Sequence, residues 1–552
     1  MTIYTSPYPA VTAADSSGVF DFILTKRGNP NFRADRVALI DAVSGKQVTY
    51  GELASESLRF ADGLTRVANL KRGQTVLIFS PNSILYPVLL FAGQAAGLVV
   101  STANSAYLPE ELAHAIQLSD AALIFASADT LDVTIKACQE AGVSTDKVYV
   151  VPGADGSLPK SLPQGMKRYD TLRGSDSFEP VIPTEAEAKR DMAYLPFSSG
   201  TTGRAKGVAL SAFNITSCVL QTRATKGHFD QADNVFSCLP MYHIFGLVVM
   251  LHLTLYNGGT CVVLSRFDLV KALESVQKYK CTTALVVPPI ALALAKHPIV
   301  DKYDLSSLRY ILCGAAPLSA DLEGALAKRL KGRTRVFQGL GMTETTSVAM
   351  VPPADESMPG SVGKLLSTIE ARLVSPDGTD VPVGEPGELW LRGPNMLLRY
   401  HKDEKSTRET LTDDGWLMTG DICTRSKDGW FAVVDRSKEL IKVNGFQVPP
   451  AEVEGCLLTC PLVADAAVIG VWSEEKATEF PRAYIVPNPE HAKSPTLQRD
   501  VAAFVASKLA PHKRLGGGVV VIDEIPKSAS GKILRKDLRA LAAKEAQGKA
   551  KL

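Results

Sequence analysis

The sequence predicts an α/β protein with a large N-terminal domain and a small α+β domain behind it. Through most of the chain, short β-branched runs alternate with amphipathic helical patterns, as in TVLIF (75–79) and PEELAHAIQLS (109–119). This alternation is typical of layered α/β subdomains with largely parallel sheets. The pattern changes after Arg436, and we therefore expect domains over residues 1–436 and 437–552.

The elements of the large domain follow from local patterns. Strands are predicted at 75–79, 98–103, 122–127, 147–151, 260–264 and 283–288, and helices at 83–96, 109–119 and 268–279. The stretch 73–109 carries no charge, but Pro81 and Pro87 interrupt it, so it is too broken for a membrane span. Residues 152–190 are polar and rich in Gly, Pro and Ser, which predicts a surface loop.

Two smaller units follow. IEARLV (369–374), the turn SPDG and GELWLRG (387–393) form a meander, which indicates a small antiparallel unit or β-barrel at the end of the large domain. The last part of the chain predicts strands at 463–471, 482–487 and 519–523 and helices at 498–510 and 533–544. These make one α+β unit of ordinary domain size.

Composition excludes several classes of protein. The chain has 45% hydrophobic and 21% charged residues, as soluble globular proteins do. Its net charge of +2 lacks the basic excess of a dedicated nucleic-acid binder, so we expect no nucleic-acid partner. The N-terminus lacks the pattern of a signal peptide, and we expect no transmembrane segment. Nine cysteines without a CxxC pair predict reduced, mostly buried thiols.

The stretch YLPFSSGTTGRAKGVALSAFN (194–214) carries the first functional signal. Between Ser198 and Gly207 it concentrates hydroxyl residues, glycines and one lysine directly after an apolar strand. Glycines let backbone N–H groups approach a ligand, successive N–H groups form an anion-binding nest, and Lys206 adds positive charge. This combination suits a polyphosphate. The loop is not a Walker A motif, because Gly207 follows Lys206 where Ser or Thr is required.

This loop resembles the signature loop of the adenylate-forming superfamily, which contains acyl-CoA synthetases, nonribosomal adenylation domains and beetle luciferases. Further motifs follow in the order of that family: PMYHIFG (240–246), CGAAPLS (313–319), QGLGMTETT (338–346), GEPGELWLRGP (384–394), GWLMTGD (415–421), VDRSKELIKVNGFQV (434–448) and PKSASGK (526–532). The resemblance covers essentially the whole chain and is strongest to 4-coumarate–CoA-ligase-like acyl-CoA synthetases, through GMTET and GFQV. It implies an ATP-dependent acid–thiol ligase with a mobile small domain.

The resemblance assigns roles to residues in two sets. The implied catalytic set is His243, Thr343, Glu344 and Lys532. The implied ATP-binding set is Ser198, Ser199, Gly200, Thr201, Thr202, Gly203, Lys206, Ala315, Gln338, Gly339, Leu340, Gly341, Thr343, Asp421, Arg436, Lys442, Gln447 and Lys532. Within these sets Glu344 would coordinate Mg²⁺, and Lys532 would reach the α-phosphate and the substrate carboxylate. Asp421 would bind the ribose with support from Arg436, and a strand over Gln338–Gly341 would flank the adenine with Ala315.

Three of these residues have other readings when each is taken alone. Asp421 follows Gly420 and is compatible with a turn. Lys532 is compatible with a solvated helix start, where its charge would oppose the helix dipole. His243 lies in an apolar segment, where a histidine is more often a packed core residue.

For the second half-reaction, the resemblance implies that the small domain swings about Lys438. That movement would bring Asn444, Gly445 and Phe446 to the pantetheine of coenzyme A, while Arg266 would contact its nucleotide part. The family often has Lys where this chain has Asn444. The change removes a positive charge that could contact a phosphate of coenzyme A, so the sequence does not predict the affinity for coenzyme A. The phosphate loop also departs from the family, with Arg204-Ala205 where Leu-Pro is common.

The residue two positions after His243 directs the expectation about the acid. Hydroxycinnamate-activating relatives carry Tyr there, whereas this chain has Phe245. The implied acyl pocket consists of His243, Phe245, Val249, Leu312, Gly341, Ser347 and Val348. A pocket without that hydroxyl leaves a phenolic OH unpaired, so we expect an apolar acid, either medium-chain fatty or aryl. Alternatively, Phe245 packs beneath the pocket and other residues set specificity.

The expected function is an acyl-CoA ligase that uses ATP, Mg²⁺ and coenzyme A on a small carboxylic acid. Alternatives are a 4-coumarate or hydroxycinnamate–CoA ligase, a luciferase-like adenylating monooxygenase, a stand-alone carrier-loading adenylation enzyme and an inactive scaffold. The terminal Ala550-Lys551-Leu552 fits the small–basic–Leu pattern of the peroxisomal address. It predicts a peroxisomal import receptor as partner and a peroxisomal location, or otherwise a cytoplasmic one.

Overall fold

Two layered sheets form the centre of the large N-terminal domain, as the alternating pattern predicts. The structure, a computed structural model, describes residues 1–11, 18–198, 204–225, 233–436, 439–443, 446–473, 476, 478–528 and 531–549. The first sheet has eight strands, in the order Arg399–Tyr400, Lys206–Ser211, Met192–Ser198, Val99–Thr102, Thr75–Phe79, Ala121–Ser127, Val148–Val151 and Lys167–Arg168. The last six are parallel neighbours, and the first two pair antiparallel.

The second sheet has seven strands. Their order is Arg335–Gln338, Tyr310–Cys313, Thr283–Val286, Asn234–Ser237, Thr260–Val263, Val37–Asp41 and Gln47–Thr49. All neighbours are parallel except the last pair, which is antiparallel. Strands such as Thr283–Val286 are buried along their whole length, which is why their sequences are continuous apolar runs without alternation.

Antiparallel sheets complete the large domain. Five strands form the unit predicted around 369–393, in the order Tyr4–Thr5, Glu370–Val374, Gly387–Arg392, Leu417–Arg425 and Phe431–Arg436. A second antiparallel sheet contains Leu340–Met342, Ser347–Val351 and Lys364–Leu365. Both sheets carry predicted site residues, so they place the site at the border between the layered sheets and this smaller unit.

Helices cover the sheets and connect their strands. The α-helices of the large domain are Val19–Leu24, Tyr50–Arg66, Tyr86–Ala95, Pro109–Ser119, Leu131–Ala141, Glu185–Arg190, Ala212–Arg223, Thr254–Tyr256, Leu269–Lys278, Pro288–Lys296, Ala320–Arg329 and Glu404–Thr410. A π-helix spans Phe245–Leu253. Short 3₁₀ helices lie at Ala128–Thr130, Thr145–Lys147, Tyr169–Leu172, Pro298–Lys302 and Thr343–Thr345. Side-chain caps start several of them; Ser211, for example, accepts a hydrogen bond from Asn214 N.

The small domain has its own hydrophobic core. A hairpin of Ile441–Val443 and Phe446–Val448 precedes a three-stranded sheet of Val463–Ser473, Thr478–Pro487 and Val519–Val521. Three α-helices and one 3₁₀ helix accompany the sheet: Pro450–Thr459, Leu497–Lys508, Pro511–Lys513 and Arg535–Lys549. Side chains such as Val453, Leu457 and Val501 form a core separate from that of the large domain. The α+β unit predicted at the end of the chain is therefore confirmed.

The two domains touch at several points. A Cβ added at Gly531 would lie 2.9 Å from Val287 Cγ2 and 3.2 Å from Pro289 Cδ, so the small domain's glycine sits directly on the large domain. Lys296 Nζ donates to Leu458 O at 2.8 Å. Because Leu458 lies in the last turn of a helix, this cation also faces the negative end of a helix dipole.

The strands and helices predicted from the apolar patterns are present, while the segment 152–190 differs from its prediction as a loop. Besides loop, residues 152–190 contain the short strand Lys167–Arg168, the 3₁₀ helix Tyr169–Leu172 and the helix Glu185–Arg190. Thr184 and Glu187 cap this helix reciprocally, a capping box that the letters TEAE signal in the sequence. All nine cysteines are free thiols, eight of them buried. Within the described ranges, no helix is both long and apolar enough to cross a membrane.

Candidate active site

The predicted phosphate loop connects strands Met192–Ser198 and Lys206–Ser211. These strands pair antiparallel with Lys206 opposite Ser198, so the two ends of the loop come together at the edge of the parallel sheet. The predicted ligands Ser199, Gly200, Thr201, Thr202 and Gly203 lie outside the described residues.

The C-terminal side of this loop is anchored on the helix Pro109–Ser119. Arg204 Nη2 lies 3.0 Å from Glu110 Oε1, and His114 Nε2 lies 2.9 Å from Ala205 O. The residues that depart from the family's Leu-Pro therefore have local partners. The exposed ion pair contributes little stability, but both contacts fix where the chain re-enters the sheet.

A chain of contacts runs from Lys206 to Glu344. Lys206 Nζ lies 4.9 Å from the centroid of the Tyr400 ring, within cation–π range. The Tyr400 hydroxyl donates to Glu344 Oε1 at 2.8 Å. Burial, followed by the charge of Glu344, raises the pKa of Tyr400, so the phenol stays protonated and able to donate. The Tyr400 side chain thus contacts both Lys206 of the phosphate loop and Glu344, the predicted ligand of Mg²⁺.

The turn after Glu344 is strained and tightly held. Thr346 and Ser347 have φ values of 53° and 96°, a left-handed conformation that side-chain-bearing residues rarely adopt. Thr346 Oγ1 donates to Asn395 O at 2.6 Å, and Asn395 Nδ2 donates to Thr345 O at 2.8 Å. A Cβ at Gly341 would lie 1.5 Å from Ser347 O, so only glycine fits opposite this turn.

Asp421 and Arg436 face each other across neighbouring strands. They are directly opposite in register, and Arg436 Nε lies 3.2 Å from Asp421 Oδ1. Burial raises the pKa of Asp421, while Arg436 and then Lys532 oppose that rise. Asp421 lies within strand Leu417–Arg425, so its interpretation as a simple turn residue is wrong.

Lys532 enters this group from the small domain. Its pKa is lowered to about 8, chiefly because its ammonium group is withdrawn from water and secondly because Arg436 is near; Asp421 and Glu344 act in the opposite direction. Its backbone is held by a tight turn in which Lys532 N donates to Ser528 Oγ at 3.1 Å. Lys532 is half-buried and precedes the helix Arg535–Lys549, so the interpretation as a solvated helix lysine is wrong.

His243 belongs to the same group. Its pKa is lowered to about 4 by burial and by the charge of Lys532, so it is neutral at pH 7. Phe245 N donates to His243 Nδ1 at 3.3 Å, which assigns the remaining proton to Nε2. His243 is part-buried and is within electrostatic range of Lys532, so its surroundings include a charged group as well as apolar side chains.

The predicted adenine-flanking segment is not one strand. Strand Arg335–Gln338 ends in the seven-stranded sheet, and Leu340–Met342 begins a different sheet, so the expected strand over Gln338–Gly341 is wrong. The chain changes sheets at Gly339. The Gln338 side chain binds both backbone groups of Leu318, with Oε1 accepting at 3.0 Å and Nε2 donating at 2.8 Å. It thereby holds the segment that contains Ala315, whose φ is 69°.

The residues of the predicted acyl pocket come from converging elements. The π-helix Phe245–Leu253 carries Phe245 and Val249 and contacts the strand Ser347–Val351. A Cβ at Gly314 would lie 2.9 Å from Phe245 Cε1, so the phenyl ring lies against bare backbone. The buried members are Phe245, Val249, Leu312, Ser347 and Val348. Their side chains are apolar apart from one hydroxyl.

Of the residues predicted to bind coenzyme A, the structure describes Phe446 and Arg266, and both are exposed. Phe446 is 57% exposed and stacks on His512, with ring centroids 4.6 Å apart. Lys442 and Gln447, which were predicted to bind ATP, are also exposed and lie opposite each other in the antiparallel pair Ile441–Val443 and Phe446–Val448. Of the other predicted residues, Lys438, Asn444 and Gly445 lie outside the described part of the chain.

The assembled side chains suit a polyphosphate with a bound cation. Lys206, Arg436 and Lys532 supply positive charge, and Glu344 supplies a carboxylate. The described residues contain no cluster of three or more potential metal ligands. A divalent ion would therefore have to share its coordination between one carboxylate and the oxygens of a ligand, which is how Mg²⁺ is usually bound with nucleotides.

Comparison with known proteins decides the family. The model of the AMP-binding enzyme family matches residues 27–401, and that of its C-terminal domain matches residues 452–532. The chain belongs to the AMP-binding enzyme family. The resemblance to the adenylate-forming superfamily and the prediction of an enzyme are thereby confirmed.

Relatives of this AMP-binding enzyme align over nearly its whole length. The probable 4-coumarate–CoA ligase 1 of Dictyostelium discoideum is 37% identical, over 98% of this chain and 97% of the relative. The peroxisomal OPC-8:0-CoA ligase 1 of Arabidopsis thaliana is 36% identical, over 92% and 91%.

Solved structures share the fold of this AMP-binding enzyme. ATP-bound MatB from Rhodopseudomonas palustris has a TM-score of 0.83 and 26% identity, covering 95% of this chain and 99% of that chain. The anthranilate CoA ligase AuaEII with anthranoyl-AMP has a TM-score of 0.87 and 24% identity, covering 97% and 99%. The predicted fold class, a large domain followed by a small one, is confirmed.

Sequence reasoning missed two buried polar groups of this enzyme. Tyr400 was missed because its segment contains no recognised motif. His252, fully buried in the π-helix, places Nδ1 2.5 Å from Leu247 O and Nε2 2.9 Å from the Tyr194 hydroxyl. The signal for His252 was a single polar residue in the run FGLVVMLHL. Because Tyr194 lies on the strand that ends at Ser198, this bond connects the π-helix to the phosphate-loop strand.

Proposed function

We propose that this enzyme is an acyl-CoA ligase that adenylates a carboxylic acid with ATP and transfers the acyl group to coenzyme A. The observation that carries the proposal is the position of Lys532. A lysine of the small domain lies within electrostatic range of Asp421, Glu344 and His243 of the large domain. The names of relatives, which are CoA ligases, support the same activity.

In the first half-reaction, the substrate carboxylate attacks the α-phosphorus of ATP and the bond to the β-phosphate breaks. Two anions must meet, so the barrier is largely electrostatic. We propose that Lys532 spreads the charge that develops on the α-phosphate and the carboxylate, and that Thr343 contacts the α-phosphate. Lys206 and the loop from Ser198 to Gly203 hold the leaving phosphates.

Asp421, Arg436 and the Ala315 segment are proposed to bind the nucleoside. Asp421 accepts from the two ribose hydroxyls, and Arg436 favours the charged form of that carboxylate against the effect of its burial. Glu344 is the proposed ligand of Mg²⁺, which neutralises phosphate charge when bound. The Glu344 carboxylate is buried, and its Oε1 already accepts a hydrogen bond from Tyr400. This suits Mg²⁺, since that ion takes few protein ligands beside phosphate oxygens.

In the second half-reaction, the thiol of coenzyme A attacks the acyl carbonyl and AMP leaves. Phe446, Asn444, Gly445 and Arg266 are the proposed contacts of coenzyme A. Since Phe446 is exposed here, its participation requires the small domain to turn. We propose Lys438 as the hinge and 436/437 as the domain boundary.

The substrate is proposed to be an apolar acid, either medium-chain fatty or aryl. Phe245 belongs to the hydrophobic core, and its ring lies against Gly314. A hydroxylated acid would have few partners there, and an unpaired buried hydroxyl costs about 1–3 kcal/mol.

A pyrophosphate-release assay over a panel of carboxylic acids tests the activity. We expect acid-dependent pyrophosphate release with ATP and Mg²⁺, and thioester formation once coenzyme A is added. Release without any thioester would point to a carrier-loading enzyme or an oxygenase instead. No release with any acid would contradict the proposed function.

Phe245→Tyr tests the substrate class. The new hydroxyl should raise kcat/KM for 4-hydroxycinnamate relative to cinnamate by up to about tenfold, because a buried hydrogen-bonded pair contributes ~0.5–1.5 kcal/mol. It should lower kcat/KM for octanoate, whose methylenes leave the hydroxyl unpaired. Unchanged ratios among the three acids would mean that Phe245 does not line the acyl pocket.

A peroxisomal location is proposed from Ala550-Lys551-Leu552, and one relative is named peroxisomal. These three residues lie outside the described part of the chain. Removing them should leave activity in vitro unchanged and move a fluorescently tagged protein to the cytosol. Peroxisomal fluorescence after the truncation would contradict the targeting role.

A further inference from the structure

Tyr400 occupies a strand beside the phosphate loop. The short strand Arg399–Tyr400 pairs antiparallel with Lys206–Ser211, and Tyr400 lies opposite Val208. The side chain is buried, with 7% of its surface exposed. Its place next to the strand that leaves the loop explains how it reaches Lys206.

The segment that contains Tyr400 holds Glu344 at two points. Leu397 N donates to Glu344 O at 2.8 Å, while the Tyr400 hydroxyl donates to Glu344 Oε1 at 2.8 Å. Backbone and carboxylate of Glu344 are therefore fixed by neighbouring residues of one segment. Asn214 Nδ2 in turn binds Met396 O at 2.9 Å, which ties this segment to the helix that follows the phosphate-loop strand.

The same phenol ring faces Lys206. With Nζ 4.9 Å from its centroid, the ring offers a weak partner that does not neutralise the ammonium charge. A carboxylate in that place would form an ion pair and compete with a phosphate. The ring therefore restrains Lys206 while leaving its charge for a ligand.

We infer that Tyr400 is a positioning residue for nucleotide and metal, which sets the carboxylate of Glu344 and the ammonium of Lys206 in a fixed relation. Its hydroxyl occupies Oε1, so Oε2 is left as the ligand for a cation. This inference rests on the proposed function, since it assumes that ATP and Mg²⁺ bind here. The inference predicts that the Tyr400 hydroxyl affects the Mg²⁺ dependence of ATP binding, whereas the Tyr400 ring affects the ATP affinity without metal.

Binding of ATP to the full-length enzyme without acid tests the inference, measured by calorimetry with and without MgCl₂. In Tyr400→Phe the ring remains and the hydroxyl is lost. The Mg²⁺ concentration for half-maximal enhancement of ATP binding should rise roughly tenfold or more, as expected for a lost hydrogen bond to a charged group. ATP affinity in EDTA should stay within about twofold.

Tyr400→Leu removes the ring as well. ATP affinity in EDTA should then fall by about two- to fivefold, the size of a cation–π contact. Tyr86→Phe is the matched control, because Tyr86 is also buried and its hydroxyl has no hydrogen-bond partner among the described residues. It should leave both readouts unchanged, and all variants should show the thermal stability of the parent within a few degrees.

A double-mutant comparison separates positioning from general damage. In a Glu344→Gln background the metal dependence should already be weak, and adding Tyr400→Phe should change it no further. Equal metal dependence of Tyr400→Phe and the parent would overturn the inference while leaving the ligase proposal intact. So would additive effects of the two substitutions. Absence of ATP binding by the parent enzyme would instead contradict the proposed function.

Discussion

The small domain presents two faces that differ in their surroundings. On one, Lys532 is half-buried among His243, Asp421 and Glu344 of the large domain. On the other, Phe446 is 57% exposed and contacts His512 of its own domain. The difference shows that, in this arrangement of the two domains, Lys532 interacts with the site residues of the large domain while Phe446 is left exposed. Under the proposed function, this arrangement suits adenylation, and thioester formation needs the other face.

The largest expected effect comes from Lys532→Ala. Adenylate formation should fall by about 10²–10³-fold, the usual loss when a group stabilising transition-state charge is removed. Thioester formation from a supplied acyl-adenylate should persist, because under the proposed function that step uses the other face. Lys536→Ala is the control, since Lys536 is an exposed lysine of the next helix. Equal losses in the two half-reactions would contradict the division of roles between the faces.

The pH dependence of adenylation sharpens the same comparison. Lys532 has a pKa lowered to about 8, so its charge is present below that pH and is lost above it. The kcat/KM for ATP in adenylation should therefore decline above pH 8 by up to about tenfold per pH unit. In Lys532→Arg this decline should disappear, since Arg stays charged. A decline that persists in Lys532→Arg would assign it to another group.

Phe446→Ala should slow the half-reaction that Lys532→Ala spares. We expect the thioester step to fall by about two- to tenfold, since an aromatic contact is worth ~0.5–1.5 kcal/mol, with adenylation unchanged. Single-turnover rates for each half-reaction measure this. Trp472→Ala serves as the control, because Trp472 is another exposed aromatic residue of the small domain, at 64%. A fall in adenylation alone would contradict the proposed role of Phe446.

The smallest effect should come from Lys296→Ala. Its bond to Leu458 O connects the two domains in this arrangement, and under the proposed function it would break when the small domain turns. Losing it should lower the rate of adenylation about two- to fivefold, as for a partly exposed hydrogen bond, and should not slow the thioester step. Lys302→Ala, an exposed lysine nearby, should change neither. Equal slowing of adenylation and of the thioester step would mean that the Lys296–Leu458 bond does not favour one arrangement of the two domains over another.

The sequence predicted the fold well because its signals are local. The strand Thr75–Phe79 and the helix Pro109–Ser119 have the bounds expected from their apolar patterns. The helix Glu185–Arg190 was missed although its capping box was legible, because a polar, Gly- and Pro-rich surrounding segment outweighed it. The strand expected over Gln338–Gly341 failed for another reason: a change of sheet at Gly339 leaves no mark on local hydropathy.

The sequence by itself determined the order of the elements, the family motifs and the candidates Lys206, Glu344, Asp421 and Lys532, because each lies in a motif of fixed spacing. Only the tertiary structure decided which candidates meet. Tyr400 and Glu344 are 56 residues apart in the chain, and neither residue's neighbours signal the bond between them. Such pairs follow from how strands and helices pack, since a buried polar group must find a partner wherever the fold brings one. The same packing leaves Lys532 half-buried and Phe446 largely exposed.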